Sequence, residues 1–137
     1  MSEDSDLLMN RLENAKNLEE FMFICSNDKV HWPVVSGGWG RDMDDSIVLT
    51  FDNHSAIPEF EMYIIKLLLM YEGYAKWEKV NQRLRTHKGR DIDEITIKII
   101  EKGLGAKNGE SISERLDPPI SRIYYFDITH GISKIIT

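Results

Sequence analysis

Asp42, Asp44 and Asp45 place three carboxylates within four residues, and together they could hold a hard metal ion. Asp52 and His54 follow closely and could supply two more ligands, or a base with its orienting partner. A metal-assisted hydrolase built from these groups needs Asp42, Asp44, Asp52 and His54 to converge on a pocket with an open coordination position. The spacing does not fit an EF-hand loop. In an EF-hand register Ile47 falls where glycine is required, and Asn53 replaces the closing bidentate Glu. His31, His87 and His130 are too scattered to form a zinc pair. The simpler reading is a solvated acidic turn that also deters edge-to-edge strand pairing.

The turn before those acids, Ser36-Gly37-Gly38-Trp39-Gly40-Arg41, breaks the local rules of an ordinary fold. Three glycines in four residues imply a sharp bend or a close approach, and a tryptophan there needs a core pocket or a partner. Gly38-Trp39-Gly40 opens like a dinucleotide fingerprint, but Met43 stands where the third glycine belongs and a strand follows instead of a helix. Ser36 lacks the flanking acid of a serine-protease nucleophile turn, and no P-loop lysine pattern occurs. What is left is a strand-to-strand turn that either folds Trp39 over the core or presents it to a partner.

Lys76, Lys79, Arg83, Arg85, Lys88 and Arg90 form the one basic cluster. On a hairpin, Lys79, Arg83 and Arg85 would share a face and could track a phosphate backbone, making an RNA-contacting module. Residues 1–75 nevertheless carry 14 acids against 5 bases, and residues 76–137 carry 9 against 12. An acidic body repels nucleic acid and attracts basic proteins.

Apolar residues at 42% and charged residues at 29% suit a water-exposed globular chain of 137 residues, which predicts one α+β domain spanning 1–137. The lone Cys25 sits in an apolar run and excludes an internal disulfide. The acidic Met1–Asp6 segment has no signal-peptide order, and the longest apolar run is too short for a bilayer, so the expected location is cytoplasmic.

These groups must be positioned by a small set of elements. Ser5 or Asp6 is expected to cap a first helix, and Asn17, with Glu20 three residues on, a second helix or a bend. Leu18, Phe21, Met22 and Cys25 give the helical stripe. Strands are expected at His31–Val35 and Ile47–Phe51, with a polar loop at 52–55. A helix follows from near Pro58 to Gly73, apolar enough to be buried on most sides or against a second copy. A hairpin is expected with arms at 76–86 and 92–101 around His87-Lys88-Gly89-Arg90, although Trp77, Val80, Asn81 and Leu84 also have helical spacing and leave 76–86 open between strand and helix. Residues 103–109 read as a loop by composition, and 111–119 as a capped turn ended by Pro118-Pro119. A last strand, Ile120–Thr129, puts Ile120, Arg122, Tyr124, Phe126 and Ile128 on one face.

The predicted architecture is an antiparallel sheet of about four to five strands packed on N-terminal helices and one buried central helix. The predicted function is a small acidic protein-binding module, inhibitor-like or an adaptor, with homodimerisation as a further association. Trp39, Arg41, Asp42, Asp44, Asp45 and Trp32 are its expected binding residues. No cofactor, nucleic acid or membrane partner is expected, and no catalytic motif is complete. The hydrolase and RNA readings stand as alternatives.

Overall fold

Residues 2–26, 28, 35–50, 57–107 and 110–129 are described by the computed structural model, with main chain only for 2–6, 106 and 107. Trp32, Asp52, His54 and the apolar tail after Thr129 lie outside them, as do most of the expected first strand and the polar loop.

Among the described residues three helices, α1 (Ser2–Glu13), α2 (Leu18–Cys25) and α3 (Ile57–Tyr71), accompany five strands. The strands are β1 (Val35–Gly37), β2 (Ile47–Leu49), β3 (Tyr74–His87), β4 (Arg90–Lys107) and β5 (Glu110–Asp127). Their order across the sheet is β1-β2-β5-β4-β3, antiparallel except where β2 runs parallel to β5. This is the predicted α+β class. The N-terminal region is two helices, separated at Asn17, whose side chain accepts the Glu20 N–H at 2.8 Å. The Glu20 carboxylate reaches back to the Lys16 N–H at 3.3 Å, completing a reciprocal cap. Ser5 and Asp6 do not cap α1, which begins at Ser2 and runs through them.

One core joins Leu18, Phe21 and Met22 of α2 and Ile64, Ile65 and Leu69 of α3 to Ile95, Ile97, Ile99, Tyr124 and Phe126 of the sheet. The α3 residues recur at helical spacing, so α3 is buried along one face, while Tyr63, Lys66 and Met70 stay exposed on the other. Its apolar composition had suggested burial on most sides. The alternation expected in 120–128 holds, with Tyr124 and Phe126 inward.

The hairpin turns through Lys88 and Gly89, both at positive φ, the two-residue loop whose twist matches its strands. Strand β4 continues through residues 103–107, and β5 begins at Glu110, where a loop and a capped turn were expected. The ladder absorbs the breakers as irregularities. Ile99 faces Ile120, while Glu101 faces Arg115, so residues 116–119 with both prolines bulge out opposite Ile100. Gly105 relieves a second register shift after Gly103.

A bulge between Lys79 and Asn81 has a larger effect. Lys79 pairs with Ile97 on the helix-covered face, and beyond the bulge Arg83 pairs with Glu94 and Arg85 with Ile92 on the opposite face. The inserted residue reverses the pleat, so Lys79, Arg83 and Arg85 do not share the face that uninterrupted alternation would give them.

Candidate functional site

The glycine turn connects β1 to β2 and its glycines are needed for close approach. Gly37 has φ +83, and a Cβ there would lie 2.7 Å from the Ser46 carbonyl oxygen. A Cβ on Gly38 would collide with the Asp45 side chain. The turn is bonded internally by Gly38 N–H to Ser46 O at 2.9 Å and Gly40 N–H to Asp45 O at 2.7 Å. It is then stitched to the far end of the chain by Tyr125 N–H donating to Gly40 O at 2.9 Å.

Within this frame the three acids have separate tasks. Asp42 accepts the Asp45 N–H at 2.7 Å, and Asp45 accepts the Trp39 N–H at 3.3 Å. Asp44 faces the hairpin tip, 2.7 Å from Lys88 Nζ and 2.9 Å from His87 Nε2, and those bonds hold its carboxyl below the usual range. The carboxylates thus point apart. Among the described residues no three His, Cys, Asp or Glu side chains are grouped closely enough to hold a metal ion.

Trp39 turns toward the helices. Its ring meets Phe21 edge-on, 5.8 Å between centroids and at 81°, and Phe21 meets Tyr71 likewise at 5.2 Å and 87°. Trp39 is half-buried and forms one wall of a cleft of about 430 Å³ between α1, α2, the end of α3 and the turn. Leu12, Ala15, Phe21, Leu68 and Tyr71 complete its apolar lining. Glu13, Arg41, Asp45 and Glu72 supply the polar rim. Partial burial, with the Glu13 charge beside it, pushes the Tyr71 hydroxyl upward.

Behind the rim lies an ordered charge network. Glu72 follows α3 immediately, where a carboxylate opposes the helix dipole, and two arginines offset it. Arg41 reaches one Glu72 oxygen at 3.1 Å and Arg122 binds the other. The Arg41 guanidinium lies 5.7 Å from the Tyr124 ring centroid, and that of Arg122 lies 5.6 Å from the Tyr74 ring. Each arginine is therefore held between an aromatic face and a carboxylate.

Of the predicted binding residues, Trp39, Arg41 and Asp45 come together here. Asp42 serves the turn, and Asp44 lies on the other side of it, toward the hairpin tip. Glu13, Phe21, Tyr71 and Glu72 escaped the sequence reading because they belong to three helical segments with ordinary patterning. Of the predicted RNA-binding residues, Arg83 and Arg85 both bind Glu94, and those bonds keep its carboxyl below the usual range despite burial. Lys79 instead donates to Gln82 Oε1 at 2.8 Å.

That last bond leads to the most unusual group in the core. Gln82 donates to Asp93 Oδ2 at 2.6 Å, and Asp93 adjoins Glu61 of α3. Glu61 is 0% exposed and neither of its oxygens meets a donor among the described residues. Two adjoining carboxyls can hydrogen-bond only if one carries a proton. Burial, then the Asp93 bond and charge, push the Glu61 carboxyl up to about 10, with Lys79 pulling the other way.

No helix among the described residues is long and apolar enough to cross a membrane. Comparison with protein-family models, curated proteins and solved structures finds no match for this chain.

Proposed function

We propose that this chain is a small cytoplasmic recognition module that binds another, basic protein through the Trp39 cleft, with pairing of two copies as a further association. The observation that carries this reading is the juxtaposition of Trp39, Phe21 and Tyr71 with Glu13, Asp45 and Glu72 in one cleft. Aromatic side chains in a concave site supply most of the energy of a protein contact, and surrounding charge supplies the on-rate and the choice of partner. Trp39 acts as a wall of a receiving pocket, not as a protruding anchor, because its ring is already packed on Phe21. The acidic first half of the chain steers a basic partner toward that pocket.

The test is affinity capture from native lysate with wild-type and Trp39→Ala baits in parallel, followed by binding kinetics on the captured protein. A basic partner held by wild-type, lost with Trp39→Ala, and associating more slowly as salt rises supports the reading. A partner retained equally by both baits, or an association rate indifferent to salt, refutes it.

A further inference from the structure

The cleft can be assigned a more definite ligand from a pattern the protein uses twice on itself. Arg41 lies over Tyr124 and pairs with Glu72, and Arg122 lies over Tyr74 and pairs with the same Glu72. Both sites hold a planar guanidinium between a phenol ring and a carboxylate. The cleft offers the same parts a third time, with Tyr71 and Trp39 as aromatic walls and Glu13 beside Tyr71. Glu13 differs from Glu72 in having no basic partner among the described residues.

Resting on the reading of the cleft as a protein-binding site, we propose that it accepts an arginine side chain of the partner, its guanidinium lying against Trp39 and Tyr71 and bonding Glu13. Arginine fits better than lysine for physical reasons. A guanidinium is flat and weakly hydrated, so it can leave water to lie on an aromatic wall. Its N–H fork also matches both oxygens of one carboxylate, which a point-like ammonium does not. Charge complementarity points the same way, since Glu13, Asp45 and Glu72 outnumber Arg41 and Arg122, the two arginines that pair with Glu72. Glu72 is already held by two arginines and Asp45 by the turn, which leaves Glu13 as the acid able to choose the ligand.

The experiment uses the full chain, labelled with nitrogen-15, and three blocked tripeptides, Gly-Arg-Gly, Gly-Lys-Gly and Gly-citrulline-Gly. The expected result is a saturable shift of the Trp39 indole N–H and of amides near Glu13 with the arginine peptide. The lysine peptide should bind about tenfold more weakly, and the uncharged citrulline peptide should give no saturable shift. Glu13→Gln, an exposed substitution, should weaken the arginine peptide about tenfold and leave distant amides in place. Equal affinity for arginine and lysine, or an unchanged affinity in Glu13→Gln, overturns the arginine assignment and leaves the protein-binding reading standing. Partner capture indifferent to Trp39→Ala overturns the cleft itself.

Discussion

Replacing Glu61 by glutamine should make the protein more stable at alkaline pH and remove most of the pH dependence that the wild type shows there. Glu61 is completely buried on α3, with Asp93 as its neighbour and no donor to either oxygen among the described residues. Its carboxyl is raised from 4.5 to about 10 by burial and by Asp93. A group whose folded value is raised binds its proton more tightly in the fold than in the unfolded chain. Its contribution is therefore fully present below about pH 4.5 and is lost as pH climbs toward about 10. Within that window one bound proton changes stability by at most about 1.4 kcal/mol per pH unit. From pH 7 to pH 9 the loss is thus at most about 2.7 kcal/mol, a large share of a small domain's stability. Glutamine keeps the shape, needs no proton, and can donate its own N–H to Asp93. Urea denaturation of both proteins at pH 6, 7, 8 and 9 measures the effect, and subtraction cancels the histidines and other groups common to both. The difference should grow with pH in favour of Glu61→Gln. Parallel stability curves, or a glutamine variant less stable at pH 9, would refute the shared-proton reading of this pair.

Two further predictions concern local structure. Gly38→Ala pushes a methyl group into the Asp45 side chain and should destabilise the chain by about 1–3 kcal/mol, measured by thermal or urea denaturation; an unchanged midpoint means the turn is not as tight as described. Asn17→Ala removes the acceptor for the Glu20 N–H at the start of α2 and should cost about 1 kcal/mol, with early loss of amide protection confined to α2; uniform loss across the chain argues against a local cap.

Much of this fold can be read from local chemistry. Gly89 marks the hairpin turn, since it adopts the positive φ of a two-residue loop freely, whereas Lys88 beside it takes a positive φ that its residue type does not announce. Asn17 with Glu20 declares a helix start, and the alternation through Tyr124 and Phe126 declares which side of β5 faces inward. The failures share one cause. Residues 103–119 carry Gly103, Gly105 and two prolines among the described residues, which in isolation end a strand, yet pairing between β4 and β5 resumes beyond each interruption. The reversal of pleat after Lys79 is likewise a property of the pair of strands, since the register of β3 is set by β4. The cleft is legible only in part for a related reason. The oddity of Trp39 is visible in one turn, but Glu13, Phe21, Tyr71 and Glu72 meet it only after three helical segments have packed. By its place in the sequence Glu61 is one more acid in the first turns of a helix, and only its depth in the core distinguishes it.

The bond from Tyr125 to Gly40 has a bearing on how the protein is made. The tryptophan turn is synthesised before β5, to which β2 and the turn are joined. Contacts between such distant parts of a chain form late, because a long loop must close before they repay its entropy. The Trp39 cleft is therefore incomplete in a nascent chain that lacks β5. A product stalled before β5 would carry Trp39 without the strand whose Tyr125 N–H holds the turn, so the walls of the cleft take their places only once β5 has been made.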